Sequence, residues 1–132
     1  MKGKTVAKFL VKNLLDLGFI VHRYNSHTTS SIYLKLDYGV SCGIRIADHP
    51  GKKKYSYRFN VIKDYVGDKV IYKDNLICYF FDYTELDNVI DAVKKEKQNK
   101  INKYGIENYK KWMNIQSQSD LYIRFKKMKG AA

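Results

Sequence analysis

The chain has 132 residues, a length that fits one domain with a hydrophobic core of its own. Its formal net charge is +12 and its pI is near 9.6, which excludes an acidic mimic of DNA and favours a polyanionic partner. Residues 94–132 carry a net +8 of that charge. Only four basic residues are Arg, which favours attraction to a phosphate backbone over reading of base edges.

The first half of the chain predicts a helix followed by strands. Apolar residues recur at helical spacing between Thr5, a plausible N-cap, and Gly18, a plausible terminator. Alternating or continuous apolar runs then indicate strands, and the polar stretch over 64–75 is interpreted as a connection. The predicted strands cover residues 19–24, 32–36, 40–46, 55–61 and 76–81. The last of them is apolar on both faces, which is typical of a central strand.

The second half of the chain predicts mostly helix. Thr84 and Asp87 resemble a capping box at the start of a long helix that runs to Tyr104, with Gly105 ending it. A short third helix is expected over 106–114, and alternation over 121–126 indicates a late strand or an ordered tail.

This order predicts an α+β fold. We expect an antiparallel sheet of about five strands, with the N-terminal helix and the long helix of the C-terminal half packed on one face. A basic helical or extended C-terminal appendage would complete a single domain over residues 1–132, with a core over 1–114 and a basic segment over 115–132.

Two cysteines and the absence of long apolar segments narrow the class of protein. Cys42 and Cys78 fall inside apolar strand patterns without disulfide or metal-site spacing, so we predict buried free thiols and no metal or cofactor. No apolar stretch reaches the roughly 20 residues of a transmembrane helix, and the first residues lack a signal-peptide pattern. We therefore expect a cytoplasmic protein without a membrane partner.

The sheet face that the helices leave open is the first candidate binding surface. Tyr33, Lys35, Arg45 and Arg58 alternate with inward apolar residues and would share that face. Cations beside an aromatic ring suit phosphate binding and base stacking. The alternative interpretation is an ordinary solvated face.

Two lysine-rich segments would extend this surface. The loop over 47–54 holds the densest local charge, and the long helix carries further lysines. The candidate residues are His49, Lys52, Lys53 and Lys54 in the loop, and Lys94, Lys95 and Lys97 in the helix. The alternative for both segments is a charged surface that only maintains solubility.

No strong catalytic motif is present, and we expect no enzymatic activity. One catalytic alternative is open, because a helix followed by Leu17-Gly18-Phe19 and then Ser26-His27 resembles the start of HicA-type toxin ribonucleases. That resemblance would make His27 the catalytic acid or base. The chain departs from the family at Asn25, where a glycine is expected.

Three strand motifs over residues 30–62 resemble a second group of proteins. Residues 30–36 (SSIYLKL), 43–49 (GIRIADH) and 55–61 (YSYRFNV) are similar to a module in several phage anti-CRISPR proteins directed at Cas9-type nucleases, although Ala47 stands where a serine is expected. The resemblance implies a non-catalytic inhibitor in an infected or lysogenic bacterial host cell. Its partners would be a Cas nuclease and its guide RNA or target DNA, with DNA binding or cleavage blocked. A general nucleic-acid-binding protein is the alternative.

Overall fold

A computed structural model of the chain describes residues 3–29, 31–46, 57–61, 64–66, 69–71, 77–81 and 85–130. For the four strands between residues 57 and 81, only the backbone is described.

The described residues form three α-helices and eight strands. The helices are α1 (Gly3–Asp16), α2 (Leu86–Tyr104) and α3 (Ile106–Ser117). The strands are β1 (Val21–Asn25), β2 (Ile32–Leu36), β3 (Cys42–Ile46), β4 (Tyr57–Val61), β5 (Asp64–Val66), β6 (Lys69–Ile71), β7 (Ile77–Phe81) and β8 (Lys126–Lys127). Two short 3-10 turns cover Asp37–Gly39 and Asp120–Ile123.

The larger sheet has the order β7-β4-β3-β2-β1-β8, and every neighbouring pair is antiparallel. The predicted α+β class with an antiparallel sheet is confirmed. The number of strands differs from the predicted five, because β8 joins the sheet and β5 pairs with β6 in a separate ladder. That ladder lies within the segment 64–75, which was predicted to be a connection.

Two predicted strands differ from the structure. β7 was predicted to be central, yet it stands at the end of the sheet order. The alternation over 121–126 forms an ordered tail more than a strand, since Asp120–Ile123 is a 3-10 turn and within this range only Lys126 pairs with β1. Leu121 and Ile123 are exposed, and no apolar face forces this segment into an extended conformation.

The predicted helix ends at Gly18 and Gly105 are confirmed, whereas the predicted N-cap Thr5 is wrong and α3 runs past the predicted residue 114 to Ser117. α1 begins at Gly3, so Thr5 lies inside the helix, and the chain turns at Gly18 with a φ of +87°. α2 begins after Glu85, which makes no side-chain capping bond, and Thr84 lies outside the described residues. Gly105, with a φ of +90°, separates α2 from α3 as predicted.

The main core lies between the helices and one face of the sheet. α1 buries Val6, Leu10 and Leu14 in one stripe, and Val89 and Val93 of α2 join the same cluster. On the sheet, the buried residues alternate along the strands and meet in register. They are Ile32, Leu34 and Leu36 in β2, and Cys42, Ile44 and Ile46 in β3. We call the opposite side of the sheet the second face.

A smaller core holds α3 against the turn between β2 and β3. Tyr109 and Trp112 of α3 pack with Val40. The turn contains three consecutive residues with positive φ, namely Asp37 (51°), Tyr38 (58°) and Gly39 (83°). Two non-glycine residues in this conformation cost energy, so surrounding contacts have to hold the turn.

Cys42 is a buried free thiol, as predicted, and burial raises its pKa to about 12. Cys78 lies in β7, where side chains are not described. None of the described helices combines the length and the apolar character needed to cross a membrane.

Candidate nucleic-acid interface

Strand register brings the predicted second-face residues into rows. Tyr33 of β2 lies directly opposite Arg45 of β3, and Arg45 lies opposite Arg58 of β4. Lys35 lies opposite Gly43. Because directly paired residues point to the same side of a sheet, Tyr33, Lys35 and Arg45 share the second face, as the alternation predicts, and Arg58 occupies the register position next to Arg45.

Arg45 is held in place by neighbours on this face. Its guanidinium carbon lies 5.7 Å from the centre of the Tyr33 ring, and its Nε and Nη2 donate to the Ser31 hydroxyl at 3.4 and 3.3 Å. The cation is therefore fixed above an aromatic ring, an arrangement that keeps its charge in place for an anionic partner.

Lys35 is less accessible than the alternation suggests. Its side chain is half-buried and lies over Gly43, where a Cβ would come within 3.8 Å of Lys35 Cδ and Nζ. Burial lowers the pKa of Lys35. A Cβ at position 43 would make only an ordinary van der Waals contact with the lysine stem.

An aromatic cluster covers the β1 side of the second face. The ring of Tyr122 lies 4.7 Å from His22 and 5.2 Å from Tyr38, and Phe125 lies 5.4 Å from Tyr24. The C-terminal segment thus packs back over the sheet through two aromatic side chains. This gives a structural role to residues after 115, which the sequence left unassigned.

His22 is the most enclosed member of the aromatic cluster. It is 4% exposed, and its Nδ1 has no hydrogen-bond partner among the residues whose side chains are described. Burial, with a further contribution from the nearby Lys127 charge, lowers the pKa of His22. The neutral imidazole is therefore the form that this site favours.

A basic notch lies at the edge of the sheet where β8 meets β1. It is a cavity of about 360 Å³. Its lining residues are Arg23, Tyr24, Asn25, His27, Arg124, Lys126 and Met128. Three of these residues are cations and none is an acid. Positive charge therefore dominates the notch.

Two distant parts of the chain build the basic notch. Arg23 lies directly opposite Lys126 in the β1–β8 ladder, and Arg124 ends the preceding 3-10 turn. Arg23 Nε donates to Asn25 Oδ1 at 2.9 Å, which fixes the guanidinium. Met128 N donates to Val21 O at 2.8 Å and extends the attachment past β8.

His27 stands on the loop between β1 and β2. The Ser26 hydroxyl accepts hydrogen bonds from the backbone N–H groups of Thr28 (3.3 Å) and Thr29 (3.2 Å), which orders the loop. The exposed His27 ring lies edge-on to Tyr24, with centroids 5.9 Å apart. The histidine singled out by the catalytic alternative therefore lines the basic notch.

The helical candidates separate into two groups. Lys94 and Lys95 are exposed on α2, whereas Lys97 points inward, with its Nζ 3.0 Å from Asp37 Oδ2 and 4.5 Å from the centre of the Phe19 ring. Lys97 therefore serves the fold, and we leave it out of the proposed interface. Lys100 is buried and donates to the carbonyl oxygens of Val40 and Ser41, and burial lowers its pKa.

The loop candidates His49, Lys52, Lys53 and Lys54 lie outside the described residues. For Arg58 the structure gives the position in β4 and not the side chain. The sequence prediction missed Arg23, Arg124 and Lys126 as site residues. The basic charge of the C-terminal segment indicated Arg124 and Lys126. Only the pairing of β8 with β1 brings them close to Arg23.

No His, Cys, Asp or Glu cluster suited to a metal ion occurs within the described parts of the chain. Comparisons with family models, curated proteins and solved structures gave no match.

Proposed function

We propose that this protein is a non-catalytic protein that binds nucleic acid, alone or within a nucleoprotein, through the second face and the basic notch. The observation that carries the proposal is the placement of like charges in register. Arg45 stands opposite Arg58, and Arg23 stands opposite Lys126.

Like charges directly opposite in a sheet destabilise it. Among the described residues that line the basic notch, there is no carboxylate that would offset the repulsion. A phosphate backbone supplies the missing negative charge and releases its own counterions when it binds. The fixed Arg45 over Tyr33 adds a cation and an aromatic ring on the same face.

The more specific proposal is inhibition of a bacterial Cas9-type nuclease. The resemblance over residues 30–62 supports it, and the second-face positions Tyr33, Lys35, Arg45 and Arg58 fall inside that range. A basic inhibitor would contact the guide RNA, the target DNA or an acidic part of the nuclease. Blocking DNA binding or cleavage would follow from occupying that surface.

The first experiment compares binding to a guide-loaded Cas9-type nuclease, to its free guide RNA and to its target DNA at about 150 mM salt, where exposed charges are screened beyond roughly 8 Å. Preferential binding to the loaded nuclease, weakened by Arg45→Ala, supports the inhibitor. Binding only to free nucleic acid rejects the inhibitor and retains the broader function. Lys8→Ala, which removes an exposed α1 charge, is the control.

A ribonuclease is the second candidate, because His27 lies in the basic notch beside Arg23, Arg124 and Lys126. A histidine can transfer a proton and neighbouring cations can stabilise a phosphorane-like transition state without a metal. Cleavage of single-stranded RNA in EDTA, abolished by His27→Ala, would establish it. Intact RNA after prolonged incubation with wild-type protein would reject it.

A further inference from the structure

The basic notch is too small for a duplex and large enough for one nucleotide. Its volume of about 360 Å³ lies at the lower end of the range of about 300–1,000 Å³ that small-molecule pockets occupy. In a double helix the bases are paired and stacked inside, so they cannot enter such a cavity, whereas a single strand can place an unstacked base in it. The notch therefore suits a single strand, whose units can enter one at a time.

The cations of the basic notch are arranged around one position. Arg23 and Lys126 are direct partners across the β1–β8 ladder, so their side chains leave the sheet on the same side. Arg124 enters from the adjoining turn. Three positive charges converging on one small cavity from two strands of the chain suit a single phosphate group.

Two aromatic side chains line the basic notch from the other side of β1. Tyr24 lies opposite Tyr33 in the β1–β2 ladder and so belongs to the second face, whereas Arg23 lies opposite the buried Leu34. Tyr24 lines the basic notch, and its ring contacts those of Phe125 (5.4 Å) and Tyr33 (6.3 Å), while His27 meets it edge-on. A ring fixed by several neighbours is a platform on which a base or a ribose can stack without ordering a mobile side chain.

From this geometry we infer that the basic notch binds one nucleotide unit of a single-stranded nucleic acid. Arg23, Arg124 and Lys126 hold the phosphate, and Tyr24 with His27 contacts the base or the sugar. The inference rests on the proposed function. It adds that the nucleic acid is single-stranded and that it binds at the basic notch.

The test measures binding of a labelled single-stranded decanucleotide and of its duplex to the full chain at about 150 mM salt. Single-strand binding at least tenfold tighter than duplex binding is expected. Arg124→Ala/Lys126→Ala should weaken single-strand binding at least tenfold, because these exposed side chains form the cavity. Lys8→Ala/Lys12→Ala removes the same charge from the exposed side of α1 and should weaken it less than threefold.

Competition identifies the unit that is bound. Adenosine monophosphate should displace the single strand at lower concentration than inorganic phosphate, and Tyr24→Leu should remove that difference.

Three results overturn the inference. They are equal affinity for single strand and duplex, equal losses in the notch variant and the α1 control, and no single-strand binding at about 100 μM, the weak limit of non-specific binding. If the first or second occurs while nucleic acid still binds, the proposed function survives without the notch. Absence of binding to every free nucleic acid and to the loaded nuclease rejects the proposed function itself.

Discussion

The Tyr109 hydroxyl donates a hydrogen bond of 2.5 Å to Asp37 Oδ2 across 72 residues of sequence. The same carboxylate accepts from Ile20 N at 2.9 Å and pairs with Lys97 at 3.0 Å. Asp37 is 1% exposed. A single buried carboxylate therefore ties the β2–β3 turn to α2, α3 and the entry to β1.

The Tyr109→Phe variant should lower the free energy of unfolding by about 1.5–3 kcal/mol, the range for a hydrogen bond to a charged group. The ring still fills the smaller core, so the loss reports on the hydroxyl. Denaturant unfolding followed by circular dichroism measures it. Tyr33→Phe is the control, because no hydrogen bond of its hydroxyl is formed within the described residues, and it should change stability by less than about 0.5 kcal/mol. Equal losses in both variants would contradict the role of Asp37.

Lys97 and Lys94 form a matched pair on α2. Lys97→Met removes the ion partner of a buried carboxylate and should cost about 1–3 kcal/mol of stability. Lys94→Met changes an exposed position and should cost less than about 0.5 kcal/mol. Nucleic-acid affinity, measured on the folded proteins, should fall more for Lys94→Met if the α2 surface takes part in binding. If Lys97→Met is as stable as the wild type, the ion pair between Lys97 and Asp37 does not stabilise the fold, which would contradict this prediction.

Stability should depend on pH through His22. Its pKa is lowered in the folded protein, so between that pKa and the unfolded value near 6.5 the unfolded chain binds more protons. The free energy of unfolding therefore rises with pH through this window. The stability that the neutral His22 contributes is lost as the pH falls below about 6.5. Unfolding curves of wild type and His22→Phe from pH 5 to 8 test this, since the difference between them should grow steadily toward low pH. Parallel pH profiles would show that His22 is not the titrating group.

The salt dependence of binding should report the charges of the basic notch. For single strands the slope of log K against log salt is about −0.7 per phosphate neutralised. Arg124→Ala/Lys126→Ala should therefore reduce the slope by about 1.4, whereas Lys8→Ala/Lys12→Ala should leave it nearly unchanged. Titrations between 50 and 300 mM salt (about a sixfold range) are wide enough to measure the slope. An unchanged slope in the notch variant would mean that the cavity holds no phosphate.

Local patterns in the sequence predicted those features that depend on neighbouring residues. The period-two alternation of β2 and β3 decides which side chains face the helices. It therefore predicted both the buried residues Ile32, Leu34 and Ile44 and the residues on the second face. Helical spacing also carried a signal that the prediction did not use. Val89 and Val93 mark the buried stripe of α2, and Lys97 and Lys100 continue it at the next helical positions.

Features that depend on distant pairing could not be predicted in the same way. Nothing in the local pattern of residues 120–128 indicates that a two-residue strand will join β1, because so short a ladder leaves no periodicity. The inward turn of Tyr122 and the exposure of Ile123 (83%) reverse what alternation suggests. The tertiary contacts of Tyr122 with His22 and Tyr38 determine the orientation of this segment.

The attachment of β8 to β1 has a consequence for the order in which the protein is made. Arg23 leaves the ribosome about a hundred residues before Lys126, its partner in the ladder. The nascent chain therefore carries half of the basic notch, and Tyr24 and His22 stand uncovered until the last segment arrives. Under the proposed function, a nucleic acid can therefore be held in the notch only by a chain whose synthesis has passed Lys126.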